Sequence, residues 1–317
     1  MSNVLAVDIG GTHFRVALFD AQGRRLVLSE GRTESSGGRD WMLNEVRERA
    51  QDLITRSDQP VRSCGISFGG PVDYSRQQVS SMHVSGWRGF KLAQWVEDNL
   101  SLKSLVDNDA NAGALGEFRY GAGRGTESVL YLTLSTGIGG GVVYGGGVLR
   151  GKDCMAGEVG HIPVSDAGAL CSCGGRGCLE TISSGTAIGL RGRGLARRKP
   201  EVMAKTMELA SGDPERITAE IIFRAAGEGE RSAQFIVREA ARALAKALLI
   251  SIRILNPEVI ILGGGVALAG RLLLDPVHEF LEELPAPMLE HSTRVVRAEL
   301  EKYSSLYGAA AMALGPA

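Results

Sequence analysis

A chain of 317 residues has room for two domains of ordinary size, each with its own core. Its hydrophobic share of 44% belongs to a globular protein and excludes disordered and fibrous classes. With 35 basic and 36 acidic residues the formal net charge is −1, so no global field recruits nucleic acid or an anionic membrane.

The chain opens on MSNVLAVDIGG, which lacks the basic region and long apolar core of a secretory signal. Residues 3–7 form an apolar run that predicts a buried strand. Asp8-Ile9-Gly10-Gly11-Thr12 follows, then a second run at 14–19 ending in a turn near Gln22 and Gly23. Two strands joined by a glycine-rich turn predict a β-hairpin. Glycines there let backbone N–H groups approach an anion, Thr12 adds a hydroxyl donor, and Asp8 at a strand end could hold Mg²⁺ directly or through water. The competing reading is a plain hairpin turn.

Trp41, Leu43, Val46, Ala50, Leu53 and Ile54 recur at helical spacing. Residues 64–68 predict a strand closed by Gly69-Gly70-Pro71, a helix is expected within 87–100, and a strand over 102–106. Alternating strands and helices favour an α/β sheet. Asp107-Asn108-Asp109-Ala110-Asn111 then leads into a helix. A carboxylate there suits proton abstraction from a sugar hydroxyl, with Asn108 hydrogen-bonding the ring; helix capping is the alternative, and one residue can do both.

The plan then repeats. Residues 129–134 predict a strand, 135–141 (STGIGGG) a glycine-rich turn, and 142–144 the returning strand. Over 232–255 apolar residues line one face of a long helix that stops at Asn256-Pro257, as helices before proline do. A strand at 259–262 ends in Gly263-Gly264-Gly265. Hairpin, helices and a strand ending in glycines thus occur twice, which predicts two similar lobes with a central cleft. There is no GxxxxGK[ST], and no GxGxxG between a strand and a helix, so P-loop and dinucleotide folds lose ground.

Within the second repeat lies AGEVGHIPVSDAGALCSCGGRGCLE, residues 156–180, where His161 precedes Cys171, Cys173 and Cys178. Three thiolates and an imidazole are the donors of a closed tetrahedral zinc site. Five cysteines, an odd number with three clustered, suggest reduced thiols and metal rather than a disulfide framework, and with no export signal a cytoplasmic location is expected. Glu158 and Glu180 flank the expected metal. His13, His83, His278 and His291 lack such company and are expected to be structural, with a reservation over His83; Cys64 and Cys154 read as small apolar residues. The basic run at 191–198 reads as a solvated helix surface.

These elements resemble the ROK family of sugar kinases, within the actin/hexokinase/Hsp70-like superfamily. The likeness rests on DIGGT at 8–12, GGPVD at 69–73, DNDANA at 107–112, STGIGGG at 135–141, AGEVGH at 156–161, CSCGGRGCLE at 171–180 and GGG at 263–265. It implies two lobes of duplicated actin-like, ribonuclease-H-like topology. The smaller would cover 1–108, completed by a C-terminal helix at 304–317, and the larger 109–303 with the zinc segment 156–180. It further implies transfer of the γ-phosphoryl group of Mg-ATP to the 6-hydroxyl of a hexose, glucose first, with Asp109 as general base. Asn108, Glu158, His161 and Glu180 would bind the other hydroxyls and Gly70 would line the pocket. Zinc would be held by His161, Cys171, Cys173 and Cys178, with His161 touching metal and sugar through its two ring nitrogens. Asp8, Gly10, Gly11, Thr12, Thr136 and Gly137 would hold the Mg-ATP phosphates, with Gly264 and Gly265 beside the adenosine. Homodimers are common in the family.

The chain departs from the family pattern at Gly69-Gly70-Pro71, where many members have Pro-Gly-Pro. It departs again at Met82-His83-Val84, where many have Pro-Asn-Leu near the sugar. These positions bear on which hexose is used: N-acetylglucosamine, N-acetylmannosamine, fructose, mannose and allose are the alternatives to glucose. The family also contains sugar-sensing regulators, whose helix-turn-helix domain precedes the first strand. Here that strand opens the chain and the charge is balanced, so a kinase without nucleic-acid or membrane partners is expected. A sugar-binding pseudokinase is a third possibility, disfavoured by Asp109 and both glycine turns.

Overall fold

The computed structural model describes residues 2–81, 84–283 and 292–316. The chain begins with strands β1 (Asn3–Ile9), β2 (His13–Phe19) and β3 (Arg25–Arg32), then helix α1 (Gly38–Thr55) and β4 (Val61–Phe68). A short hairpin, β5 (Val72–Asp73) and β6 (Gln78–Val79), leads to α2 (Leu92–Leu100), β7 (Lys103–Asn108) and α3 (Asp109–Tyr120). The strand-rich pattern resumes with β8 (Ser128–Leu134), β9 (Ile138–Tyr144) and β10 (Gly147–Val148). Helices α4 (Glu180–Ser183), α5 (Gly185–Arg198), α6 (Ala204–Leu209), α7 (Ala219–Gly227) and α8 (Arg231–Leu255) follow. The chain ends with β11 (Val259–Gly263), α9 (Arg271–Glu283), β12 (Arg294–Arg297) and α10 (Ser304–Leu314).

Two five-stranded sheets have the orders β3-β2-β1-β4-β7 and β10-β9-β8-β11-β12. Position for position these are the same permutation, so the repeat read from the sequence is a repeat of topology. In the first sheet β1, β2 and β3 pair antiparallel, while β4 and β7 add in parallel. In the second, β9 and β10 are antiparallel, and β11 and β12 parallel. Sequence periodicity missed β3, β10 and β12, which lie at sheet edges. There the alternation of buried and exposed residues is weak, as in the largely exposed RLVLSEGR of β3.

The glycine-rich turn expected at 135–141 is shorter than that. Only 135–137 leave the strand path; Gly139, Gly140 and Gly141 lie inside β9. A Cβ on Gly140 would stand 2.2 Å from the carbonyl oxygen of Gly157, and one on Gly141 would stand 2.4 Å from that of Ala110. Gly140 and Gly141 let neighbouring backbones approach β9.

The chain divides into two compact units: Met1–Tyr131 with Gly141–Ala156 and Tyr303–Ala317, and Leu132–Gly140 with Gly157–Lys302. In the first, alternate residues of β1 face two cores. Leu5, Val7 and Ile9 pack with Met42, Val46, Leu92 and Val96 of α1 and α2. Val4 and Ala6 pack with Ala112 of α3 and Leu306, Ala309 and Ala310 of α10. The C-terminal helix therefore completes the first unit, and small residues let it in. A Cβ on Gly65 would lie 1.8 Å from the Ala309 carbonyl oxygen, and one on Gly308 would lie 1.7 Å from that of Ala112. Arg119 ties the pair by donating to the carbonyls of Ala311 (2.9 Å) and Gly315 (2.6 Å). In the second unit α8 buries Ile236, Leu244, Leu248 and Ile252, and Asn256 ends it in the left-handed region at φ 43°.

Candidate active site

In the first unit, Asp8 sits near the end of β1, paired across the hairpin with Arg15. Its carboxylate is 5% exposed. Arg15 Nη1 donates to Oδ2 at 2.9 Å, and Ser67 Oγ donates to Oδ1 at 2.8 Å. Arg15 also reaches Glu30 at 2.9 Å and lies over the ring of Tyr303. A carboxylate so engaged suits orienting a cation's water shell better than binding the cation directly. The turn beyond it presents Gly11 and Thr12 to solvent. Thr33 holds the turn in shape: its hydroxyl donates to the Gly10 carbonyl (2.7 Å) and its N–H to the Thr12 carbonyl (2.9 Å). Arg15, Ser67 and Thr33 escaped the sequence reading because each acts through an interaction that only sheet pairing creates.

The turn from β7 into α3 carries Asn108 and Asp109. Asn108 is the N-cap of α3, its Oδ1 accepting the Ala110 N–H at 2.9 Å, while its Nδ2 donates to the Gly70 carbonyl at 3.1 Å. Capping and orientation are thus one arrangement. Gly70 has no room for a side chain, since a Cβ would stand 2.6 Å from the Ser80 carbonyl oxygen. A Cβ on Gly69 would stand 3.4 Å from Gly10 Cα and 3.8 Å from Asp109 Oδ2, which brings base, first glycine turn and residue 69 together. Enclosure in this surrounding, and then the negative charge of Asp8, raise the Asp109 carboxyl to about 6. That is where a general base working near neutrality is most useful. Met82 and His83 lie outside the described residues, as does His291.

In the second unit, the exposed turn at 135–137 follows β8. It is stitched to its neighbours: the Gly185 N–H donates to the Ser135 carbonyl at 2.7 Å, and the Val266 N–H to the Leu134 carbonyl at 2.9 Å. Gly264, at φ 82°, passes so near Leu134 that a Cβ would lie 2.4 Å from its carbonyl oxygen. Glu180, opening α4, accepts the Ile138 N–H at 2.8 Å, and a Cβ on Gly137 would meet that carboxylate at 2.5 Å. An expected sugar ligand is therefore seated on the expected phosphate turn.

Residues 157–180 bring the four expected metal ligands together. Atoms of His161, Cys171, Cys173 and Cys178 all lie within 4.8 Å of one another. Cys171 Sγ is 3.4 Å from His161 Nδ1, and Cys173 Sγ is 3.7 Å from Cys178 Sγ. Tetrahedral zinc with ordinary Zn–S and Zn–N bonds spaces its ligands by about 3.6–3.8 Å, so the set fits that ion. The chemistry fits too. Burial, then the adjacent sulfurs, push the Cys178 thiol up to about 12, so a thiolate there needs a cation. From 162 to 176 only Cys171 is buried, and Leu170 is 65% exposed, so no apolar core holds the loop. With Nδ1 turned to the sulfurs, His161 turns Nε2 towards Glu158, 3.8 Å away.

The remaining histidine and cysteine readings fall out simply. His278 Nε2 lies 3.0 Å from the Val295 carbonyl oxygen, a structural partner. Burial pushes the Cys64 thiol up, as for an inert core residue. The basic run lies on α5, where Arg191 and Arg197 pair with Glu239 and Glu215. Among the described residues no helix is long and apolar enough to cross a membrane.

Comparison with known proteins places this arrangement. The model of the ROK family matches residues 4–315. The chain is 34% identical over 310 residues to a glucokinase of Thermotoga maritima, covering 98% of this chain and 96% of the relative. It is 32% identical over 313 residues to an N-acetylmannosamine kinase of Escherichia coli, covering 98% of both. The structure is similar to that of a ROK family glucokinase from Streptomyces griseus in complex with glucose and AMPPNP. That likeness has a TM-score of 0.86 and 33% identity, covering 98% of this chain and 99% of the other.

Proposed function

From the premise that this chain belongs to the ROK family, we propose that it is an ATP-dependent glucokinase with Asp109 as general base. The observation that carries the reading is Asp109 at the start of α3, next to residue 69 and the first glycine turn, in a fold with a TM-score of 0.86 to a ROK family glucokinase in complex with glucose and AMPPNP. Above about pH 6 the Asp109 carboxylate accepts the proton of the sugar 6-hydroxyl as its oxygen attacks the γ-phosphorus. The bond to the β-phosphate oxygen breaks and ADP leaves. Such a transfer asks the protein mainly for positioning and charge neutralisation.

Asn108 and Gly70 are read as sugar-binding residues, as are Glu158, His161 and Glu180. Gly10, Gly11 and Thr12, with Thr136 and Gly137, bind the phosphates; Gly264 and Gly265 serve the adenosine. Asp8 orients the water shell of the Mg²⁺ that accompanies ATP, and that cation neutralises charge developing on the phosphates. His161, Cys171, Cys173 and Cys178 would hold a structural zinc, which would keep His161 oriented with Nε2 free for a hydroxyl. The two units act as the lobes of an actin-like kinase, working as a homodimer in the cytoplasm, where reduced thiols persist.

A panel of hexoses with Mg-ATP, read by coupled ADP release, tests the substrate. Glucose should give the highest kcat/KM. The likeness to the Escherichia coli relative supports N-acetylmannosamine as the second reading, and a preference for it would replace glucose. Asp109→Asn should lower kcat by roughly 10²–10⁴-fold while glucose still binds. Near-normal turnover would overturn the assignment of the base.

A further inference from the structure

Immediately before the base stands Asp107, whose carboxylate is 3% exposed. Its Oδ1 accepts the Asn108 N–H at 2.8 Å and Asn111 Nδ2 at 3.0 Å. Its Oδ2 accepts both arms of a single guanidinium: Arg150 Nε at 2.8 Å and Nη2 at 2.7 Å. Arg150 lies in the segment after β10, more than forty positions along the chain. Its guanidinium sits 3.6 Å from the centroid of the Tyr74 ring, and its Nη1 donates to the Val148 carbonyl at 3.3 Å. Its own carbonyl accepts the Ala156 N–H at 3.0 Å.

We propose that Arg150 is a positioning residue for phosphoryl transfer: through Asp107 it fixes the turn on which Asn108 and Asp109 stand. The inference rests on the reading of Asp109 as the base. A capping Asn alone leaves that turn free to rock about the end of β7. Asp107 removes the freedom by binding the turn's backbone at Asn108 and its next helical turn at Asn111. A buried carboxylate holds such a geometry only when its charge is met, and the Arg fork meets it with two N–H groups on Oδ2. Tyr74 braces the guanidinium from one face, so the fork is itself pre-organised. Lysine keeps the charge and loses the fork.

The experiment measures kcat, sugar KM and thermal midpoint for R150K, R150M and the double variant D107N/R150M, with D109N beside them. R150K should fold and keep sugar KM within about threefold, while kcat falls roughly 10- to 100-fold, because a base displaced by an ångström loses that much. R150M strands the Asp107 charge and should lower the midpoint most. The double variant removes that charge, so it should regain stability and leave kcat low. Wild-type kcat in R150K and in the double variant, with only the midpoint reduced, would make Arg150 a purely structural residue and overturn the proposal. Retained turnover in D109N would instead overturn the base itself, whatever Arg150 does.

Discussion

At the scale of the residue, Asp109 trades stability for reactivity. An ordinary aspartate ionises near 3.8, and here the folded chain raises it to about 6. A carboxyl raised on folding costs nothing while both states are protonated. Its cost grows as pH rises from about 4 to about 6, and stays constant above. The shift of about two units sets an upper bound near 3 kcal/mol. Asp109→Asn should therefore raise stability at pH 8 by about 1–3 kcal/mol and leave it unchanged at pH 4, read by denaturant unfolding at both values. A variant equally stable at both would show that the carboxylate is better solvated than its surroundings suggest. The same group predicts that kcat/KM rises with pH through an ionisation near 6. In Asp109→Glu that limb should move with the new carboxyl's surroundings, and a limb unmoved in every Asp109 variant would belong to another group.

At the scale of the element, the stretch 162–176 is a loop with little hydrophobic reason to fold, Cys171 being its one buried residue. Its backbone bridges, Pro163 to Cys178 and Leu170 to Arg176, are isolated pairs rather than a ladder. Gly177, at φ 65°, must be glycine, because a Cβ would stand 1.7 Å from the Ser165 carbonyl oxygen. With so little apolar core in 162–176, a zinc ion on the Cys/His cluster would supply folding energy, as in small metal-stapled domains. One zinc per chain is expected by metal analysis of purified protein. Strong chelation or Cys173→Ser should raise sugar KM at least tenfold, since His161 belongs to the cluster. Protein free of zinc and fully active would remove the staple from the account. Residue names alone made this cluster legible, because a His and three Cys within eighteen residues have few uses together. The seat of Glu180 on the Ile138 N–H was not legible, since it joins residues 42 positions apart.

At the scale of the whole molecule, the chain uses one sheet permutation twice and then returns its last helix to the unit where it began. That return depends on close packing: α10 lies against α3 and β4 with glycine at Gly65, Gly116 and Gly308. Gly308→Val should destabilise the protein by about 3 kcal/mol or more, because its Cβ would collide with backbone and not with a yielding side chain. Gly11→Ala, with nothing within 4 Å of the added carbon, should leave the melting temperature within a degree or two and weaken ATP binding instead. Equal losses of stability in both variants would contradict the packing described for α10.

By itself the sequence marked the secondary elements with strong periodicity, the duplicated plan, the Cys/His cluster and the turn bearing Asp109. All of these are local: a face repeats every two or 3.6 residues, and a ligand type announces its chemistry by name. Only the tertiary structure decided the extent of the 135–137 turn, the close-packing role of Gly140 and Gly141, and the partners Arg15, Ser67, Thr33 and Arg150. Each of those depends on strands or segments distant in sequence arriving side by side, where a hydrogen bond of about 3 Å either forms or does not. Spacing along a chain carries no record of such distances until the sheets have formed.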